Sequence, residues 1–218
     1  MAYRASAVTA FGTVSTASPG PVSVVSNQPL DIVQLYVFTD TNVTLTCTGF
    51  TIKGATTFVT GTRAGQMTLM WKRISGSSDT GSYSVVPSGS TGMQIGISSH
   101  SGRVTTGDPY TFFLGWTTAG ATQPTTPSPA QTAAAGDDLC YAPDEWNGVA
   151  NTLTTTGYTR RIDDAAGMHV FTEDNVSAGS QSPQCSSAGS SDQWYTLFAG
   201  LTVAGGSTPI GWPNEAWS

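Results

Sequence analysis

The sequence predicts an all-β protein, a two-sheet antiparallel sandwich with a weak internal duplication. Three observations carry this. Apolar and polar residues alternate at period two over many short stretches, the pattern of strands with one face in a core. No stretch sustains a 3.6-residue period, Leu, Glu and Lys are sparse, and Gly or Pro recurs every few residues, all of which disfavours helix. One phrase is also written twice. Residues 31–51 read DIVQLYVFTDTNVTLTCTGFT and residues 138–159 read DLCYAPDEWNGVANTLTTTGYT, each opening on Asp and closing on Gly, an aromatic and Thr.

Along the chain, residues 3–11 read as a first strand. Pro19-Gly20-Pro21 marks a turn, and 22–25 a short strand. Residues 32–38 are almost continuously apolar, as in the middle of a packed sheet. Val43, Leu45 and Cys47 alternate with threonines. Met67, Leu69 and Trp71 alternate with Thr68, Met70 and Lys72, which predicts a half-buried strand. Asp79-Thr80-Gly81 is a turn, followed by strands at 83–86, 93–98 and 110–116. In 93–98, Met93, Ile95 and Ile97 form one face and Gln94, Gly96 and Ser98 the other.

Residues 117–135 are rich in Thr, Pro and Ala, with Pro124, Pro127 and Pro129, and read as an extended connector. It divides a single sandwich domain, 1–203, into halves at about 1–116 and 136–203. A Trp- and Pro-rich tail, 204–218, follows. The second half repeats the plan of the first. Residues 139–141 correspond to the strand at 32–38, MHVF at 168–171 to MTLM at 67–70, and WYTLFAGL at 194–201 to 93–97. Pro143 lacks the N–H of a central ladder, so 142–148 is expected at an edge or in an exposed loop carrying Asp144, Glu145 and Trp146.

Bulk composition narrows the function. Of 218 residues only 10% are charged, against roughly 25% in ordinary soluble domains. Such a neutral, hydroxyl-rich surface suits coverage by other chains. The net charge is -6 and the eight cations are scattered, so nucleic acid is not an expected partner. No run approaches a membrane span, and no secretory signal follows Met1, so synthesis in a cytoplasm is expected and the sequons at Asn42 and Asn175 are read as chance. Cys47, Cys140 and Cys185 match no zinc or redox spacing and read as buried thiols.

Catalytic motifs are not found. His100 and His169 share no ligand spacing, no GxSxG elbow occurs, and no phosphate loop opens a helix. The acidic pairs Asp137-Asp138, Asp144-Glu145, Asp163-Asp164 and Glu173-Asp174 read as solvated turns, because neighbours on a strand face opposite ways and cannot flank one sugar. No metal site, cofactor or enzymatic activity is expected. Trp71 and Trp194 read as core, and Trp116 as the end of a strand. Trp146, Trp212 and Trp217 lie in loop or tail and, with Asp144 and Glu145, form the candidate interface or glycan-binding set.

Several segments resemble jelly-roll virion proteins of tailed bacteriophages that infect actinobacteria, in which such domains occur as minor tail proteins. The likeness lies in residues 31–38, Gly49-Phe50-Thr51, MTLMWKRI at 67–74 and QIGISSHSG at 94–102. It continues in TPSPAQTAAAGDDLC at 126–140, MHVFTEDNVSAGSQSP at 168–183 and the closing WYTLFAGL. The first half has Leu30-Asp31 where the second keeps the usual Gly136-Asp137 turn, and the tail is extra. The resemblance implies a jelly-roll-like sandwich, oligomeric, located in the virion and partnered by other virion proteins. A minor tail or tail-tip protein is the leading expectation. A capsid decoration protein and an adhesin for host-surface glycan are the alternatives.

Overall fold

The computed structural model describes residues 3–23, 28–60, 63–75, 79, 81–117, 130–145, 151–153, 157–163, 168–187 and 194–204. All regular structure among them is strand. The first set is β1 (Tyr3–Val8), β2 (Gly12–Val14), β3 (Gly20–Ser23), β4 (Ile32–Thr39), β5 (Leu45–Cys47), β6 (Thr51–Thr60), β7 (Arg63–Arg73), β8 (Ser82–Pro87) and β9 (Thr91–His100). The second is β10 (Tyr110–Thr117), β11 (Gln131–Ala133), β12 (Asp138–Glu145), β13 (Asn151–Leu153), β14 (Thr159–Asp163), β15 (His169–Glu173), β16 (Gly179–Gln181), β17 (Cys185–Ser187) and β18 (Trp194–Leu201).

The first set builds a large sheet in the order β1-β9-β4-β7-β6, with β2 also on β9, and a small sheet β3-β8-β5. The second builds a large sheet in the order β10-β18-β12-β15-β14 and two small pairs, β11-β16 and β13-β17. The large sheets therefore share one strand order, and their registers also agree. Phe38 faces Met67 across β4 and β7, while Asp144 bridges Met168 in the equivalent place. Thr39 faces Met93 and Glu145 faces Trp194. The internal repeat legible in MTLM and MHVF is a repeat of structure.

The expected two-sheet sandwich is the face-to-face pair of large sheets. The first is backed on its other side by its small sheet and the second by its small pairs, which gives three cores. Val33, Leu35 and Val37 of β4 turn to the first small sheet with Leu45, Tyr83 and Val85. Ile32, Tyr36 and Phe38 turn the other way and meet Leu197, Ala199 and Leu201 of β18. Leu139 and Tyr141 of β12 pack with Cys185 and Trp194 in the third core. Gly96 sits where a Cβ would come within 2.9 Å of Met168 Sδ and 3.1 Å of Ile162 Cδ1, so its bareness lets the large sheets close.

Several expectations are corrected. The strand expected at 3–11 ends at Val8 and resumes at Gly12, and the strand expected at 22–25 begins at Gly20. β7 and β9 are not half-buried. Thr68, Met70, Gln94 and Ser98 are as buried as Leu69 and Ile95, because the face read as outward lies against another layer. β10 pairs with β18, so the chain crosses between sheets at 101–109, not at 117–135, and the end of that connector forms β11. Pro143 is buried in β12, a central strand. It is tolerated because the ladder to β15 stops at Tyr141↔Phe171 and returns, in the same register, only as the bridge Asp144↔Met168. The missing N–H falls in that gap.

Candidate functional site

The expected site residues do not form a site. Asp144 is 2% exposed, paired with Tyr195 inside the sheet, which corrects its expected place in an exposed loop. Glu145 ends β12 opposite Trp194. Trp146, Trp212 and Trp217 lie outside the described residues. Asp137 and Asp138, read as a solvated turn, are fully buried. Trp194 is core as expected. Trp71 is only partly buried, edge-on to Tyr110 with the Arg73 guanidinium 5.5 Å from its ring, and Trp116 is 39% exposed at the end of β10.

His169 is buried, with Nδ1 3.0 Å from Asp163 Oδ1. Burial alone would push Asp163 up, but Arg160 at 2.6 Å and His169 outweigh it and hold the carboxyl below its ordinary range. Among the described residues no group of three His, Cys, Asp or Glu has the geometry to hold a metal.

The chemistry-bearing residues that do converge lie between the large sheets, at the end where the chain crosses over. Period two puts Gln34 and Tyr36 of β4 on the face that meets the second half. Ser98 and His100 of β9 share that face, and from the opposite sheet come Asp138 and Cys140 of β12. The Cys140 thiol donates to Gln34 Oε1 at 3.2 Å, and its Sγ lies 3.8 Å from His100 Nε2. Ser98 Oγ is 3.1 Å from the same nitrogen. Tyr36 donates to Gln34 Oε1, and Gln34 Nε2 donates to Tyr110 Oη, each at 2.9 Å.

The charges sit beside this network. His100 Nδ1 is 3.8 Å and Arg103 Nη2 3.3 Å from Asp138 Oδ2, contacts of charge with charge that lack hydrogen-bond geometry. Arg103, on the crossover, also donates to the backbone oxygens of Ser101 at 3.0 Å and Leu201 at 3.2 Å. Asp138 Oδ1 accepts from Asn175 N at 3.0 Å. Burial pulls the His100 imidazole down, but Cys140 and Asp138 outweigh it and push it up to about 9. Burial holds the Tyr36 and Tyr110 phenols well above their ordinary range, so both stay neutral.

A thiol, an imidazole and a carboxylate in this order form the usual means of activating a nucleophile. Here none of Cys140, His100 and Asp138 is more than 1% exposed, and the thiol is tied to an amide oxygen. What the arrangement can do is join two sheets. Sequence reading missed it. Period two already placed Ser98 with His100, and Asp138 with Cys140, on common faces, but nothing in the chain order says that those faces meet.

Fold and site together define an all-β sandwich protein in which His100, Cys140 and Asp138 meet in a buried joint between the large sheets. No family model matches the chain, and no curated protein or solved structure matches it.

Proposed function

We propose that the chain is a non-enzymatic structural component of a tailed-phage virion, a minor tail or tail-tip protein that packs against other virion chains. The observation that carries this reading is the buried joint. The residues most able to do chemistry fasten one sheet to another, with no opening to a substrate in their contacts. The low-charge exterior, suited to coverage by neighbours, supports the same reading, as does the sequence likeness to phage virion proteins. The first half also passes repeatedly between its large and small sheets, with β3, β5 and β8 in one and β4, β7 and β9 in the other, while β1–β2 and β6–β7 stay in the large sheet; this resembles the wiring of jelly rolls and supports the reading.

The test is to find the chain in particles. Antibody labelling and particle imaging that place it at the tail or its tip support the proposal. Labelling of capsid faces makes it a decoration protein instead. Absence from purified particles, or saturable binding of the isolated chain to host envelope glycan, overturns the structural reading in favour of another.

A further inference from the structure

The three free cysteines fall one to each core: Cys47 in the first, Cys185 in the third, and Cys140 between the large sheets. The crossover end of the core between the large sheets holds Gln34, Ser98, His100, Arg103 and Asp138, all buried. There His100 of the first large sheet faces Asp138 of the second across the join at 3.8 Å, and Arg103, which bridges Val203 beyond the end of β18, lies beside Asp138 on the second sheet's side at 3.3 Å. Charges taken out of water hold a structure closed only while their partners stay charged, because each carries a desolvation cost that mutual attraction must offset. His100 is the member of the set that solvent pH can switch.

We propose that the His100–Asp138–Arg103 contact is a pH-gated latch on the join between the two large sheets. With His100 charged the crossover end stays closed. With His100 neutral that end opens locally and admits solvent to Cys140.

The groups around His100 give the sign. β12 presents Asp138 and Cys140, the crossover presents Arg103, and β9 and β4 present the uncharged Ser98 and Gln34. From β1 the Tyr3 ring stands edge-on at 6.1 Å. The nearby Tyr36 and Tyr110 are neutral. A histidine raised in the folded state, here to about 9, contributes stability that is fully present below its unfolded value of about 6.5 and is lost as pH rises through the folded value. The latch is therefore shut in neutral and acid solution and released in alkali. Arg103 remains on Asp138 when His100 discharges, so the carboxylate keeps a cationic partner and the opening stays local.

The experiment labels the full chain with iodoacetamide across about pH 6.5 to 10 and reads each cysteine by peptide mass spectrometry. Dividing each rate by that of the same cysteine in the urea-unfolded chain at each pH removes thiol ionisation, so the ratio of Cys140 to Cys185 labelling isolates opening of the join. The ratio is expected to rise about tenfold or more over that range, the effect of one pKa unit or more of linkage. In His100→Gln it is expected to be high already at neutral pH and flat. A constant ratio in the native chain overturns the proposal, and so does an unchanged rise in His100→Gln. Should that variant not fold, the native chain still decides. The midpoint of the rise must coincide with the His100 titration followed by imidazole NMR, and a mismatch overturns the latch.

Discussion

Asp31 and Asp137 hold the same position in a turn that the chain builds twice. Asp31 N donates to Gln28 O at 3.1 Å, and its Oδ2 accepts from Gln28 N at 2.9 Å. Asp137 repeats both bonds with Ala134, at 3.2 and 3.0 Å. Each aspartate carbonyl then accepts from the residue that follows or closely follows the partner strand, Ile74 N or Val176 N, both at 2.9 Å. The residue before each aspartate is left-handed, Leu30 at φ 72° and Gly136 at φ 85°. The halves differ in two partners: Asp31 also holds the Arg4 guanidinium at 2.7 Å and accepts from Ser99 Oγ at 3.5 Å.

The turn demands glycine in one copy and strains leucine in the other. Gly136→Ala is expected to cost about 1–2 kcal/mol, since a Cβ is disfavoured at that φ and would stand 3.1 Å from Val203 Cγ1. Leu30→Gly relieves strain but loosens the unfolded chain, and is expected to fall between neutral and about 1 kcal/mol stabilising. Urea unfolding of both variants checks the contrast. A stabilised Gly136→Ala protein would refute the assignment of the turn.

Adjacent residues of β7 serve different cores. Leu69 faces the core between the large sheets and Met70 the core of the first half. Each truncation to Ala is expected to cost about 2–5 kcal/mol. A half-exposed strand would show a large loss at one position and almost none at the other, so denaturation midpoints of the two variants distinguish the cases.

Acid weakens a second contact. Burial alone would push Asp79 up, but Lys72 Nζ at 2.6 Å and Gly81 N at 3.1 Å outweigh it and hold the carboxyl below its ordinary value. A depressed carboxyl contributes stability that is fully present above its unfolded pKa, about 3.9, and is lost as pH falls through the folded value. Asp79→Asn should therefore be less stable than the native chain at neutral pH, and the two should converge in stronger acid. Chemical denaturation at a series of pH values measures this, and parallel curves would rule it out.

Deletion of residues 209–218 bears on assembly. The segment contains Trp212 and Trp217, large apolar anchors suited to a neighbouring chain. The truncated protein is expected to melt within about 2 °C of the native chain, below the shift that a loss of 1 kcal/mol gives a domain of this size. It is also expected to lose self-association or incorporation into particles. Ultracentrifugation and calorimetry read the two effects. A large fall in melting temperature with unchanged association would place the tail against its own sandwich.

By itself the sequence determined strand, period and repeat. Alternation is a local property, so Leu35, Leu45, Ile95 and Val170 could be read as core before any partner was known, and all are buried. The match of MTLM to MHVF was legible because both strands fill the same place in a repeated sheet. The tertiary structure alone decided what lies on the other side of each strand. Gln94, Ser98 and His100 form the polar face of an alternating strand, which by pattern is the solvent face. They are buried because a second sheet covers them. Pro143 and Asp144 look like a loop by composition and lie in a central strand, because a ladder can skip a missing N–H without losing register. The joint of His100, Asp138 and Cys140 depends on contacts spanning about forty residues, and only the packing of one large sheet on the other brings them together.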